Sequence, residues 1–323
     1  MNSFLTKIGK ISVICSCFLI LVVSASAQLS LRKALDFDND GKADFSIFRP
    51  ADNAWYMKNS GGSFISQQFG SANTDYQTPG DYDGDGKTDI CVWRDTNGGW
   101  YRLNSSNGAF VAVNFGASGD EPVARDFDGD GKTDVAVIRR SGGVMTWYAL
   151  RSSNGSLLAT QFGAETDYSA PGDYDGDGKI DLAVQRPGAT PTDQANFYIL
   201  QSTNGAILGI PWGYSNDSIV PGDYDGDNKT DVAVVHEGTT ANAPLAWYIR
   251  RSSNPANPLI LNFGTTGTDL NVQGDYDGDG RTDVAIWRET NGTYYFLKST
   301  DGSIGGVAWG QANDFPIASY DTH

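Results

Sequence analysis

DFDGDGKTDVAVIR, residues 126–139, places four aspartates within nine residues and then turns apolar without a break. Like charges this close repel one another unless something positive lies among them. The stretch is one of a series. Versions of it begin at Asp36, Asp81, Asp126, Asp173, Asp223 and Asp275, at spacings of 45, 45, 47, 50 and 52 residues. A degenerate start, SYDTH (319–323), ends the chain. A steady period in this range is the signature of a repeat architecture.

The rest of the period repeats as well. Each acidic loop runs into a short apolar segment: DFSIFR, DICVWR, DVAVIR, DLAVQR, DVAVVH and DVAIWR. An aromatic pair follows, from Trp55-Tyr56 to Tyr294-Tyr295, then a polar turn such as NSSNG, then a run ending in Phe-Gly or Trp-Gly. A fourth segment, such as SAPGDYD, leads into the next loop. Each period reads as four short strands between Gly, Asn, Ser and Asp turns. The expected fold is all-β: a β-propeller of four-stranded blades with metal-binding hairpin loops. Six repeats (36–80, 81–125, 126–172, 173–222, 223–274 and 275–318) predict six blades within one domain, 28–323. The segment FPIASYD copies the strand that precedes each loop, so a closing strand is expected at about 315–323. The alternative is a seventh blade completed by another chain.

The apolar segments carry a second message. VAVI is apolar at successive positions, which fits a strand buried on both faces between neighbouring blades. One position is always small (Ser46, Cys91, Ala136, Ala183, Ala233, Ala285) and reads as the place where adjacent blades approach closely.

Aligned, the six loops hold Asp at positions 1, 3, 5 and 9. The candidate metal ligands are therefore Asp36, Asp38, Asp40 and Asp44; Asp81, Asp83, Asp85 and Asp89; and Asp126, Asp128, Asp130 and Asp134. The second half of the chain adds Asp173, Asp175, Asp177 and Asp181; Asp223, Asp225, Asp227 and Asp231; and Asp275, Asp277, Asp279 and Asp283. An oxygen-only donor set of flexible geometry suits Ca²⁺ rather than zinc. The four carboxylates are expected to converge on one ion per loop, six in all, with the carbonyl of position 7 as a further ligand and its Lys or Arg side chain outward. Gly or Asn228 at position 6 permits the left-handed backbone of a sharp turn. The residues that follow are β-branched, and no Glu stands at position 12, so the loop sits in a hairpin rather than between helices.

The Phe/Trp-Gly pairs and D-x-D-G-D-G-x-x-D loops together resemble the FG-GAP repeat family, with the related bacterial VCBS-type repeats, over nearly all of the mature chain. The family is best known from integrin α-chain propellers. The resemblance implies that each loop joins the first two strands of a blade and holds Ca²⁺ on one face, carried here by Asp81, Asp83, Asp85 and Asp89 and their equivalents. The chain departs from the family in lacking the Gly-Ala-Pro half of the name, and in having six repeats where integrin propellers have seven blades.

Residues 1–27 read as a secretory signal peptide: Lys7 and Lys10, an apolar run from Ile11 to Val23, and Ala25-Ser26-Ala27 as the cleavage site. A secreted product, extracellular or periplasmic, is expected. Loss of the two lysines takes the net charge from −16 to −18. Such a chain repels nucleic acid and anionic membranes. No membrane insertion is expected, and a monomer is the simplest state. Six Ca²⁺ would offset 12 of the 18 charges. Cys15 and Cys17 leave with the signal, so Cys91 has no partner for a disulfide and reads as a small core residue.

Catalytic parts are scarce. The two histidines are His236, which stands where other repeats have Arg49, Arg94, Arg139, Arg186 or Arg288, and the terminal His323. No nucleophile elbow or phosphate loop occurs. The reading is a non-catalytic adhesion or protein-interaction module. Its alternatives are a lectin-like propeller for extracellular glycans and an accessory partner of a secreted polysaccharide-degrading enzyme. The aromatic pairs are either packing between blades or sugar platforms. The repeated Arg reads as a structural partner of a carboxylate or carbonyl. Two connections, Pro187–Asn196 and Glu237–Ala246, are longer than their equivalents. On that ground the face near Thr190, Asp193, Thr240 and Asn242 is expected to engage the partner.

Overall fold

The computed structural model describes residues 35–317. The signal-peptide reading, the tail beyond Ile317 and His323 lie outside the described residues. In chain order the strands are β1 (Phe45–Arg49), β2 (Ala54–Lys58), β3 (Phe64–Gln68), β4 (Asp75–Gln77), β5 (Ile90–Arg94), β6 (Gly99–Leu103), β7 (Phe110–Asn114) and β8 (Glu121–Pro122). Next come β9 (Val135–Ser141), β10 (Val144–Leu150), β11 (Leu157–Ala164), β12 (Tyr168–Ser169), β13 (Leu182–Arg186), β14 (Gln194–Leu200), β15 (Ile207–Tyr214) and β16 (Ser218–Ile219). The last third holds β17 (Val232–His236), β18 (Pro244–Arg250), β19 (Leu259–Thr265), β20 (Asp269–Asn271), β21 (Val284–Arg288), β22 (Thr293–Leu297), β23 (Ile304–Ala308) and β24 (Phe315–Pro316).

These form six four-stranded antiparallel sheets. Five are sequential: β4 to β7, β8 to β11, β12 to β15, β16 to β19 and β20 to β23. The sixth has the order β24-β1-β2-β3. The last strand of the described residues therefore completes the first blade, and the expected closing strand is present at Phe315–Pro316. This removes the seven-blade alternative, because β24 already occupies the edge of β1 that a further chain would need. The blades are also offset from the sequence period. Each acidic loop follows the first, short strand of a blade and feeds the second, so every period spans a blade boundary.

Burial falls from the second strand of a blade to its edge. In β9 the residues Val135 to Ile138 are all buried. In β10 burial alternates. In β7 the positions facing out are exposed, Phe110 among them. Adjacent blades diverge radially, so only the inner strands are covered on both faces. The core clusters cross blade boundaries: Ala136 and Trp147 pack with Ile180, Leu182 and Val184 of the next blade. All six small-position residues are buried. Burial also raises the Cys91 thiol to about 11, which keeps it protonated and unreactive.

Trp55, Trp100, Trp147, Phe197, Trp247 and Tyr294, the first members of the aromatic pairs, are at most 2% exposed. Four of these indoles donate to the carbonyl of the Phe-Gly phenylalanine: Trp55 to Phe69, Trp100 to Phe115, Trp147 to Phe162 and Trp247 to Phe263. The second members face the other way, and the repeated Arg lies over them, as Arg94 does over Tyr101 at 4.9 Å. The same Arg forms a bidentate pair with an Asp at the start of the first strand, for example Arg94 with Asp75 at 2.7 and 2.8 Å. His236 takes the Arg position and meets Asp217 at 2.5 Å. The Arg and the aromatic pairs are structural on this geometry, and the first aromatic of each pair cannot serve as an open sugar platform.

The long connections are shorter than the sequence implies. β14 and β18 begin at Gln194 and Pro244, leaving 187–193 and 237–243 as loops, and β9 and β10 continue pairing to Ser141 and Val144 around Gly142-Gly143. Both glycines there have positive φ, which permits the two-residue turn. Among the described residues no helix is long and apolar enough to cross a membrane.

Candidate metal centres in the acidic hairpins

The backbone of each acidic loop is set by two left-handed residues. Position 6 has φ of 86° at Gly41, Gly86, Gly131 and Gly178, 85° at Gly280 and 66° at Asn228. Position 4 is left-handed too, from 64° at Asn39 to 82° at Gly84. The position-1 carboxylate organises this turn. Asp81 accepts the N–H groups of Gly84 and Gly86 at 2.6 and 2.8 Å, and Asp126 accepts those of Gly129 and Gly131 at 2.6 and 2.9 Å. The position-9 carboxylate ties the loop to the turn between the third and fourth strands. Asp134 accepts Phe127 N–H at 2.9 Å and Ser152 N–H at 2.6 Å.

In the third, fourth and fifth loops, oxygens of positions 1, 3 and 9 converge: Asp126, Asp128 and Asp134; Asp173, Asp175 and Asp181; Asp223, Asp225 and Asp231. Within each group the oxygens lie within 4.8 Å of one another. In the first two loops the convergent sets are Asp36, Asp38 and Asp40, and Asp81, Asp83 and Asp85. Each of these five loops thus brings three of its four aspartates together. The fourth aspartate is held by hydrogen bonds of the same loop and turn. Asp130 takes the Ser152 hydroxyl at 2.9 Å, and Asp89 is held by the amides of Tyr82 and Ser105.

The donor chemistry fits a hard cation. In Asp128, Asp175 and Asp225 one oxygen accepts a Ser or Thr hydroxyl from the neighbouring turn: Ser153, Thr203 and Ser253. The other oxygen, Oδ1, is buried and has no hydrogen-bond partner in any of the three. A buried carboxylate oxygen without a partner is costly. Burial also raises the position-9 acids, with the nearby aspartates adding to it: Asp44, Asp134, Asp181 and Asp283 to about 7 and Asp231 to about 8. Asp126 and Asp173 rise to about 6, again chiefly by burial. The convergent carboxylates could hold a hard cation such as Ca²⁺, which is bound through oxygens alone.

A pH prediction follows. A buried acid whose pKa rises on folding binds protons more tightly in the folded state, so its stabilising protonation is lost as pH climbs through the folded value. In chelator, the melting temperature is expected to fall by several degrees between pH 5.5 and 8.5. In saturating calcium the slope should flatten or reverse, because metal and proton compete. A chelated protein that grows more stable over that range would contradict this electrostatic account.

Two sets of residues here were not read from the sequence. The Ser/Thr pairs of the polar turns engage the loop carboxylates, a role visible only once the hairpins are stacked. The loops also join one another. The position-8 N–H of each loop donates to the position-1 carbonyl of the preceding loop: Thr88 to Asp36, Thr133 to Asp81, Ile180 to Asp126, Thr230 to Asp173, Thr282 to Asp223 and Ala43 to Asp275, at 2.6–3.1 Å. These six bonds close a circle. The basic residue at position 7 follows the same path. Lys132 reaches the carbonyl of Asp83 in the preceding loop at 3.0 Å rather than pointing outward. A side chain on Gly84 would meet the Lys132 stem at 2.6 Å, so that lysine would have to shift to admit one.

Residues 126–184 match the family model for the FG-GAP-like repeat. No curated protein matches the chain. Among solved structures, a lectin from Agrocybe aegerita, described by its recognition of non-reducing terminal N-acetylglucosamine, aligns with a TM-score of 0.53 at 14% identity, covering 84% of this chain and 92% of that one. A triple arginine-to-alanine mutant of AofleA from Arthrobotrys oligospora aligns at 0.51 and 11%, covering 90% of each. A catalytically inactive virginiamycin B lyase from Staphylococcus aureus aligns at 0.48 and 9%, covering 88% of this chain and 87% of that one. At such identities the likeness is one of fold. With its sheets and its period, the chain is a six-bladed β-propeller, and its residues 126–184 match an FG-GAP-like repeat.

Proposed function

We propose that the chain is a secreted, non-catalytic glycan-binding propeller whose acidic hairpins are braced by calcium. The observation that carries the calcium half is the buried, unpartnered Oδ1 of Asp128, Asp175 and Asp225 within convergent carboxylates. Six such loops, linked in a circle, make a rigid frame rather than a reaction centre. The one described histidine is committed to Asp217. Glycan is favoured as the ligand class because the frame is shared with a lectin, an argument from fold analogy. A second reading, a protein-interaction module, draws on the outer strands. Phe64, Phe110, Leu157, Ile207 and Ile304 are exposed at equivalent starts of their strands, and exposed apolar groups on edge strands favour protein contact.

Calorimetric titration of calcium into chelator-stripped protein tests the frame. About six sites per chain are expected, with dissociation constants on the order of 10⁻⁴–10⁻³ M as in other extracellular modules. Absence of binding heat, with no calcium-dependent change in hydrogen exchange at the loops, would refute it.

A further inference from the structure

A cavity of about 810 Å³ lies along the first strands of four consecutive blades, β8, β12, β16 and β20. That volume is within the usual range for small-ligand sites. Its walls hold the most irregular part of the repeat. The residue after the repeated first-strand Asp is Glu121, Tyr168, Ser218 and Leu270 in these blades. Repeats selected only for ring closure have no need to differ here.

Several charged groups of the wall are already engaged. Arg140 donates to Glu121 at 2.8 Å and to the Glu165 and Asp167 carbonyls at 2.7 and 2.5 Å. Ser169 caps the other Glu121 oxygen at 2.5 Å. Asp167 and Asp217 are paired with Arg186 and His236. Arg125, also in the wall and buried, gives its Nη1 to the Ala124 carbonyl at 2.6 Å. The wall also carries amide and aromatic groups. Asn271 Oδ1 is buried without a partner. Gln273, 3% exposed, borders the cavity, as does the ring of Tyr168, which is 53% exposed. Amide groups beside an open aromatic face suit a neutral, hydroxyl-rich ligand with an apolar ring face. An ionic ligand at Glu121, Arg140, Asp167 or Asp217 would have to break existing pairs.

One of the long loops bears on the same place. Loop 187–193 holds the turn at Ser215-Asn216 through Ser215 N–H to Asp193 and Asn216 N–H to Pro191, at 3.0 and 3.2 Å. Both turn residues line the cavity. Loop 237–243 holds Thr266 in the same way, with Thr266 N–H on the Ala243 carbonyl at 2.8 Å. One of the two insertions that break the ring's symmetry, loop 187–193, therefore buttresses a turn of the cavity wall.

We infer that this central cavity is the binding site for a neutral carbohydrate, with Tyr168 as its stacking surface and Asn271 and Gln273 as hydrogen-bonding groups. The inference rests on the glycan reading and adds the site and the charge class. The test is an array of neutral and acidic glycans probed with the full chain in calcium. Calorimetry with the best-bound free oligosaccharide then compares wild type, Tyr168→Ala, Ser218→Trp and Phe110→Ala. The first variant removes the platform, the second fills the cavity, and the third alters the outer rim. Neutral glycans should bind. Tyr168→Ala and Ser218→Trp should each weaken binding at least about tenfold, with melting temperatures near wild type, and Phe110→Ala should bind normally. Unchanged affinity in both cavity variants, or hits confined to acidic glycans, overturns the inference and leaves the glycan reading standing. A blank array from folded protein overturns both.

Discussion

Chelator-stripped protein is expected to gain about 20 °C in melting temperature when about 5 mM calcium is added, if each of six sites stabilises the fold by about 2 kcal/mol. That figure is the mass-action gain for a dissociation constant near 10⁻⁴ M. The effect should be large for a structural reason. The carboxylates of Asp128, Asp175 and Asp225 leave buried oxygens unpartnered, and the acids facing them are raised by burial. Bound calcium would remove both penalties in the folded state and would have no comparable site in an unfolded chain. Because the loops are joined in a circle of six backbone bonds, stabilising one hairpin also stiffens its neighbours. Magnesium at the same concentration should do much less, since it demands a tighter, near-octahedral shell. Differential scanning calorimetry reads the result directly. A melting temperature indifferent to calcium would show that serine hydroxyls and backbone amides suffice to hold the loops.

Removing residues 315–323 should destabilise the protein by about 4 kcal/mol and make it self-associate. β24 contributes two ladder pairs, Ile47 with Pro316 and Phe48 with Phe315, and the N–H of Ile317 donates to Ser46 at 2.8 Å. Ile317 is 3% exposed and belongs to the cluster that joins the first and last blades. Without it the edge of β1 is bare, and a bare edge recruits other strands. Arg49 keeps Asp314, so the truncated chain retains one anchor across the seam. Urea unfolding gives the energy, and light scattering gives the mass as a function of concentration. A truncated chain that stays monomeric with wild-type stability would mean that the contacts of Tyr294 with Ser46 and of Trp309 with Tyr56 close the ring unaided.

Much of this architecture was legible in the residues because it repeats. Period, strand count and closure all follow from register: FPIASYD copies SAPGDYD, and only a ring brings the last copy beside the first blade. VAVI reads as a doubly buried strand because four successive apolar side chains must project to both faces. The loops marked themselves by charge, and three aspartates of each of five loops lie within 4.8 Å of one another in the fold.

Tertiary structure decided what lies between repeats. The sequence could not show that position 7 reaches back to the preceding loop, or that position 8 closes a circle of hydrogen bonds, because both link residues about one period apart. It left the aromatic pairs open between platform and packing. Burial on one strand face resolved that, with tryptophan inside and tyrosine under arginine. It also could not reveal the central cavity. Glu121, Tyr168, Ser218, Leu270 and Asn271 are unremarkable in their own segments, and only the curvature that turns four first strands toward one axis brings them to a common wall. Charge, period and small-residue positions are local properties that a chain carries along its length. A wall assembled from four blades is a product of closure, and it exists only once the ring has formed.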